Sequence, residues 1–269
     1  MTDISKLKEQ VFEENVRLHA MEASIYEAIH PQVFNWYHTR KIWNDISFIK
    51  SALGDGASER ILDLGCGTGF ITLKLASHFG AHVTGVDISR EMLQELEKKI
   101  ALMPEKRLDL VHMEATKYLK ESAAKEYDLI AASAFLHHLV DLQEFFDLAL
   151  GRLRKGGILY IAYEPLKQPI TSKIRFALHR VIRFLDAALF DLRMKSLNID
   201  LKHDHEKSLA DYQTTLGGVA PEEIIKNLDG KGEILRLDKF AVRGNGFLAF
   251  LADKVVKSQN TVSVIFKKS

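Results

Sequence analysis

A chain of 269 residues with 46% hydrophobic and 27% charged side chains has the composition of a globular protein, large enough for one α/β domain with an insertion. Its 37 Lys and Arg nearly balance 36 Asp and Glu, leaving a formal net charge of +1 and no overall field for nucleic acid, so no nucleic-acid partner is expected. The single cysteine, Cys66, allows no internal disulfide or cysteine metal cluster. Met1 to Asn15 carry no signal-like apolar run, and no stretch is apolar for long enough to cross a bilayer, which leads to the expectation of a cytoplasmic protein.

Residues 1–50 read as a helical N-terminal extension rich in aromatics, among them Phe12, Tyr26, Trp36, Tyr37 and Trp43. Five apolar runs follow, at Arg60–Leu64, Val83–Asp87, Leu108–Glu114, Tyr127–Ser133 and Gly157–Glu164, with amphipathic helical patterns between them. Such alternation predicts right-handed βαβ crossovers and a doubly wound, mostly parallel α/β sheet over a core at 51–165. Asp141-Leu142-Gln143-Glu144 has the form of a capping box, opening a helix that is expected to end at Arg154-Lys155-Gly156-Gly157. Residues 166–215 form an insertion. Residues 216–256 complete the core, with Ile234–Arg243 and Phe247–Lys254 read as two strands joined by the hairpin signal Gly244-Asn245-Gly246. Residues 257–269 read as a basic tail that frays, with Val262–Phe266 as a candidate short strand.

The run Ile61-Leu62-Asp63-Leu64-Gly65-Cys66-Gly67-Thr68-Gly69-Phe70 carries the most chemistry. A strand ends in a carboxylate and a glycine turn follows, which lets a nucleotide-like ligand approach the backbone. The third glycine comes one position too early for the dinucleotide fingerprint. Asp63 would repel a pyrophosphate and suits a ligand with a cationic group. Asp87 ends the second strand, 22 positions after Gly65, where a carboxylate can accept from ribose hydroxyls; its other reading is a helix cap.

These features resemble the motifs of the class I (Rossmann-like) S-adenosylmethionine-dependent methyltransferases. The resemblance continues through Asp87-Ile88, through Met113-Glu114-Ala115, where the family more often has Gly-Asp-Ala, and through Ser133-Ala134-Phe135-Leu136-His137-His138, a fourth motif of the small-molecule branch. It implies a seven-stranded sheet closed by a C-terminal antiparallel hairpin and S-adenosylmethionine as cofactor. It further implies a cofactor site built from Asp63, Gly65, Gly67, Gly69, Asp87, Ile88, Glu114, Ala115 and Ser133. Methyl transfer to a small-molecule acceptor, at oxygen, is the expected activity. The alternatives are an acceptor at a membrane surface (a lipid, a quinone-like molecule or a lipid-linked glycan), or a binding module without catalysis.

Transfer from a sulfonium chiefly requires alignment and exclusion of water, and a hydroxyl nucleophile gains from a base with a pKa near neutrality. His138 is the candidate base, with a packing histidine as its other reading. Tyr26, Glu164 and Tyr212 are candidates for substrate contact, Tyr26 from an N-terminal lid. His203-Asp204-His205-Glu206 has metal-like composition but sequential spacing and reads as a solvated turn, so no metal is expected. Residues 170–192 place Ile170, Ile174, Leu178, Val181, Ile182, Leu185, Leu189 and Leu192 on one helical stripe, with Lys173, Arg180 and Arg183 among Phe176, Phe184 and Phe190 on the other face. Such a helix is either a lid packed on the core or a peripheral membrane contact. Nothing in the sequence speaks to oligomeric state.

Overall fold

The computed structural model describes residues 3–54, 60–103, 107–122, 126–166, 170–199 and 209–269, so the metal-like run at 203–206 lies outside the described residues. Seven strands form one sheet: β1 (Arg60–Leu64), β2 (His82–Asp87), β3 (Leu108–His112), β4 (Tyr127–Ser133), β5 (Leu153–Pro165), β6 (Gly232–Phe240) and β7 (Thr261–Lys268). Their order is β3-β2-β1-β4-β5-β7-β6, with β7 antiparallel to both neighbours and the first five strands parallel. The chain order reverses between β1 and β4. In open α/β sheets a ligand lies outside the carboxyl ends of the strands at such a point.

Nine helices of five residues or more are described: α1 (Asp3–Glu22), α2 (Trp36–Leu53), α3 (Thr72–Phe79), α4 (Arg90–Ile100), α5 (Ala115–Glu121), α6 (Leu142–Arg152), α7 (Lys173–Ser196), α8 (Pro221–Leu228) and α9 (Gly246–Phe250), the last continued by a π-turn at Leu251–Val256. Side chains alternate across each strand, so the sheet is apolar on both faces. Leu62, Ile130, Leu159 and Val264 face Phe145, Phe146 and Ile224 of α6 and α8. Ile61, Leu129, Tyr160 and Ile265 face Ile42, Ile46 and Leu75 of α2 and α3. Side-chain caps fix where helices begin: Asn35, Ser89, Asp141 and Ser172 accept from the backbone N–H three residues on, at the starts of α2, α4, α6 and α7.

Three expectations about the elements need correction. The expected capping box at Asp141 is half made, because the Glu144 carboxylate accepts from Lys8 and Lys120 while its backbone N–H bonds Asp141; α6 then stops at Arg152 and β5 begins at Leu153. Gly244-Asn245-Gly246 does not turn a hairpin: Asn245 Oδ1 accepts from the N–H groups of Phe247 and Leu248, so Phe247–Lys254 is helical. The basic tail is instead the buried strand β7, inserted between β5 and β6, and its pairing with β6 makes the C-terminal hairpin. Thr261–Phe266 are all buried, and Lys267 and Lys268 are anchored on the carbonyls of Ala52, Leu150 and Leu153.

α7 meets the rest of the protein through Arg175, His179, Ile182 and Asp186, spaced along one helical face. Arg175 donates to the carbonyls of Val256 and Lys257 at 2.6 and 2.8 Å, and Asp186 accepts from the N–H groups of Gly244 and Asn245 at 3.1 and 3.0 Å. Polar anchors therefore decide which face turns inward. Of the apolar stripe, Ile182 alone among the residues from Ile174 (75% exposed) to Leu192 (63% exposed) is buried, and the rest is left in solvent. No helix among the described residues is long and apolar enough to cross a membrane.

Candidate active site

The first turn of the sheet presents the backbone of Gly65 and Gly67 to the cavity above it. The N–H groups of Gly65 and Cys66 both donate to the Val86 carbonyl, at 2.8 and 3.1 Å, which bends the chain back over β2. Gly67 has φ +49° and open space where a Cβ would project, while a Cβ on Gly65 would sit 2.4 Å from the Phe135 ring. Glycine is required at both, for conformation and for room. Asp87 locks the turn: its carboxylate accepts from the Gly67 N–H at 2.8 Å and from the Ser89 N–H at 2.8 Å. Burial raises its pKa, against the pull of these two donors and of the nearby His19 and His112.

Above this turn lies a cavity of about 1030 Å³, its mouth included. One wall is the expected cofactor side: Gly65, Gly67, Asp87, Ile88, Glu114, Ala115 and Ser133 all line it. Met92 and Met113 add apolar surface there. The opposite wall is α1, through Lys8, Val11, Phe12, Asn15 and His19, together with Tyr26; His138 closes the end between them. The α1 residues were missed in the sequence. Their signal is a stripe at positions 8, 11, 12, 15 and 19 in which polar residues recur on the face that packs inward. Lys8 is held by Asp141 at 3.1 Å and Glu144 at 2.8 Å, which latches α1 to the start of α6.

Asp63, Gly69, Glu164 and Tyr212 do not line the cavity. Asp63 is buried beneath the turn. One of its oxygens accepts from the Thr72 hydroxyl at 2.6 Å, and the other finds no partner. Burial, opposed by the Thr72 bonds and aided by the Asp87 charge, pushes its carboxyl up to about 7. Gly69 makes room for the Leu96 side chain, which a Cβ would meet at 2.3 Å. Tyr212 opens the one-turn helix Tyr212–Thr215.

Glu164 works from inside. It is fully buried next to Tyr163, which has φ +60°, and the pairing of β5 with β7 shifts register there, a bulge that re-aims the side chain. Its Oε1 accepts from the N–H groups of Phe135 and Leu136 at 2.8 and 2.9 Å; its Oε2 accepts from the backbone N–H of His137 at 3.1 Å and from His137 Nδ1 at 3.0 Å. Glu164 thus holds the turn that presents His138, a turn that begins at Ala134 with φ +50°.

His138 Nδ1 lies 2.7 Å from the Ala210 carbonyl oxygen. A carbonyl can only accept, so Nδ1 carries the proton and Nε2 keeps its lone pair. Burial, reinforced by the neighbouring imidazoles of His137, His19 and His30, holds His138 well below the ordinary histidine range. His137, His138 and Asp211 each bring a ligand atom to within 4.8 Å of the other two. His137 Nε2 and His138 Nδ1 each lie 3.6 Å from Asp211 Oδ1, and a cation held there would compete with the Ala210 carbonyl for His138 Nδ1.

Comparison with known proteins agrees with the geometry. Residues 61–157 match the family described as a methyltransferase domain. Over 102 residues the chain is 38% identical to trans-aconitate 2-methyltransferase of Pseudomonas aeruginosa (strain UCBPP-PA14), a match covering 38% of this chain and 34% of that protein. Over 104 residues it is 31% identical to the mitochondrial ubiquinone biosynthesis O-methyltransferase of Homo sapiens, covering 38% of this chain and 28% of the relative. The matched segment spans about a third of the length of these curated relatives. In fold, the chain resembles the N-methyltransferase NodS from Bradyrhizobium japonicum WM9, solved with S-adenosyl-L-homocysteine, with a TM-score of 0.51 at 15% identity over 87% of this chain and 88% of that one. Residues 61–157 are thus a methyltransferase domain by sequence, and the sheet built around them has the fold of that solved methyltransferase.

Proposed function

We propose that the chain transfers a methyl group from S-adenosylmethionine to the oxygen of a small-molecule acceptor. One observation carries this reading: the glycine turn, the Asp87 carboxylate and the His138 imidazole line a single cavity with α1 as its far wall. Asp87 retains lone pairs for the ribose hydroxyls beyond its two backbone donors. Ile88, Met92 and Met113 offer apolar surface to the adenine, and Glu114 offers an acceptor to its amino group. Asp63, beneath the turn and outside the cavity, supports it through the Thr72 hydroxyl. His138 Nε2 takes the hydroxyl proton. Burial and the neighbouring imidazoles keep that nitrogen unprotonated and free to accept, at the cost of a weaker base than a free imidazole.

Calorimetry with S-adenosylhomocysteine and with NAD tests the cofactor assignment. Binding of the first and not the second is expected, and the reverse pattern would overturn it. His138→Ala is expected to keep S-adenosylhomocysteine affinity within about threefold and to lower turnover by a factor of about 100 or more, the usual share of a general base. Unchanged turnover would leave His138 as a packing residue, and binding without turnover of any acceptor would favour a non-catalytic binding module.

A second reading places the acceptor at a membrane surface. It draws on α7, where Ile174, Leu178, Val181, Phe184, Leu185, Leu189 and Leu192 are exposed alongside Lys173, Arg180 and Arg183. The chain is then expected to co-sediment with vesicles containing anionic phospholipid. Leu178→Glu with Leu185→Glu should abolish that binding without altering S-adenosylhomocysteine affinity, and equal sedimentation of the double variant would refute it.

A further inference from the structure

The wall that faces the expected methyl donor is fixed by three carbonyls. Ala210, fully buried, receives His138 Nδ1 at 2.7 Å and Asn15 Nδ2 at 3.2 Å. Asn15 Nδ2 also donates to the Val11 carbonyl at 2.8 Å, and His19 Nδ1 lies 2.8 Å from the Asn15 carbonyl. Each of these nitrogens meets an oxygen that can only accept, so the donors of all three side chains are spent on α1 and on the returning insertion. What remains is one kind of atom. Asn15 Oδ1 has no hydrogen-bond partner although the residue is only 3% exposed, and in the neutral rings the Nε2 atoms of His19 and His138 keep their lone pairs. The two rings stand edge to face with centroids 5.1 Å apart, and both residues line the cavity.

The charges around that space have the same bias. Lys8 is the one cation in the described lining, and Asp141 and Glu144 already hold it. The carboxylates of Asp87 and Glu114 in the lining, whose donors are neutral backbone and hydroxyl groups, add negative potential. Apart from the methyl donor's own sulfonium, an anionic acceptor would meet acceptor atoms and a lysine already paired with two carboxylates, and burying it there would be costly. The phenol of Tyr26 stays protonated, because burial and the charges of Glu22, Asp87 and Asp211 raise its pKa, and it is a single neutral donor.

Resting on the methyltransferase reading above, we propose that the acceptor is a neutral compound with at least two adjacent hydroxyl groups and not a carboxylate. Asn15 Oδ1 and His19 Nε2 are the specificity-determining atoms. One hydroxyl donates to His138 Nε2 and is the nucleophile; the other donates to Asn15 Oδ1 or His19 Nε2 and sets its orientation. In the transfer the hydroxyl oxygen bonds the methyl carbon as the carbon–sulfur bond breaks. The bonding pair stays on sulfur, the proton passes to Nε2 of His138, and from there it goes to solvent.

The test uses the full chain saturated with S-adenosylhomocysteine at about pH 8, where free imidazoles are neutral. Dissociation constants are measured for catechol and for benzoate, a neutral diol and a carboxylate of similar size. Catechol is expected to bind at least about tenfold more tightly than benzoate, and His19→Phe and Asn15→Leu are each expected to weaken catechol by about tenfold, the worth of a buried hydrogen bond with its partner left unmet. Benzoate binding as tightly as catechol overturns the inference, as does catechol binding that both variants leave unchanged, or no binding of either compound. Asn15→Leu also removes an α1 anchor, whereas His19→Phe keeps the ring, so the Phe variant decides if the Leu variant misfolds. Failure to saturate with S-adenosylhomocysteine would instead count against the methyltransferase reading itself.

Discussion

Glu164→Ala should be among the most damaging single substitutions in this chain, although Glu164 does not line the cavity. The carboxylate is fully buried and satisfies three backbone N–H groups and one imidazole at once. Its removal strands those donors in a turn that already holds Ala134 at φ +50°. Breaking such a buried charged network costs about 3–5 kcal/mol, enough to lower Tm by on the order of 10 °C in a chain of this size. Glu164→Gln is a gentler probe, because Oε1 still serves Phe135 and Leu136 while the new amide opposes the His137 N–H. We expect it to cost about 1–3 kcal/mol, the penalty for one buried donor left unmet. Thermal unfolding of both variants checks the order, and an alanine variant as stable as the parent would refute the role.

The same network has a pH signature. Burial works against a charged His137, but the Glu164 hydrogen bond and charge, with help from Asp211, outweigh it and hold the imidazole above its ordinary value of 6.5. A histidine raised in the folded state contributes stability that is complete below the unfolded pKa and is lost as pH rises through the folded one. Stability should therefore decline as pH rises above 6.5, and Glu164→Gln should flatten that decline. A parent whose Tm does not fall over that range would remove the charged His137 from the account.

The parts of this protein that were legible in the sequence are those that local patterning decides. Gly65, Gly67 and Asp87 could be read because turn geometry and ligand approach both select the residue type at that spot. The strands β1 to β4 could be read because buried parallel strands are short apolar runs. Asn245 was misread because an Asn-Gly pair serves a hairpin and a helix N-cap equally well, and only the tertiary setting chooses. That one choice displaced the last strand into Phe247–Lys254 and made the real strand, Thr261–Lys268, look like a tail. Asn15 and His19 were invisible for a different reason. On α1 they look like ordinary polar positions, and their meaning comes from carbonyls at Ala210 and Asn15 that sequence cannot place. The exposed stripe of α7 marks the limit of periodicity: it locates an apolar face and leaves open which way that face turns.

Asp87→Ala is the second substitution with a large expected effect, and there the two readings of one carboxylate merge. Asp87 is neither only a ribose acceptor nor only a cap. It binds the Gly67 N–H across the turn and the Ser89 N–H at the entry to α4, so it builds the surface on which the ribose would lie. Losing it removes two charge-assisted bonds to a ligand, about 1.5–3 kcal/mol each, and also the anchor of the turn. We expect S-adenosylhomocysteine affinity to fall by a factor of about 100 or more, corresponding to roughly 3 kcal/mol. Asp87→Asn should keep one acceptor for the Ser89 N–H and set an amide against the Gly67 N–H, for a loss of about tenfold or more. Calorimetry on both variants, beside His138→Ala, separates the roles. Cofactor affinity should fall steeply at position 87 and barely at 138, because one residue shapes the site of the methyl donor and the other meets the acceptor. An Asp87→Ala variant that binds S-adenosylhomocysteine within threefold of the parent would sink the ribose assignment.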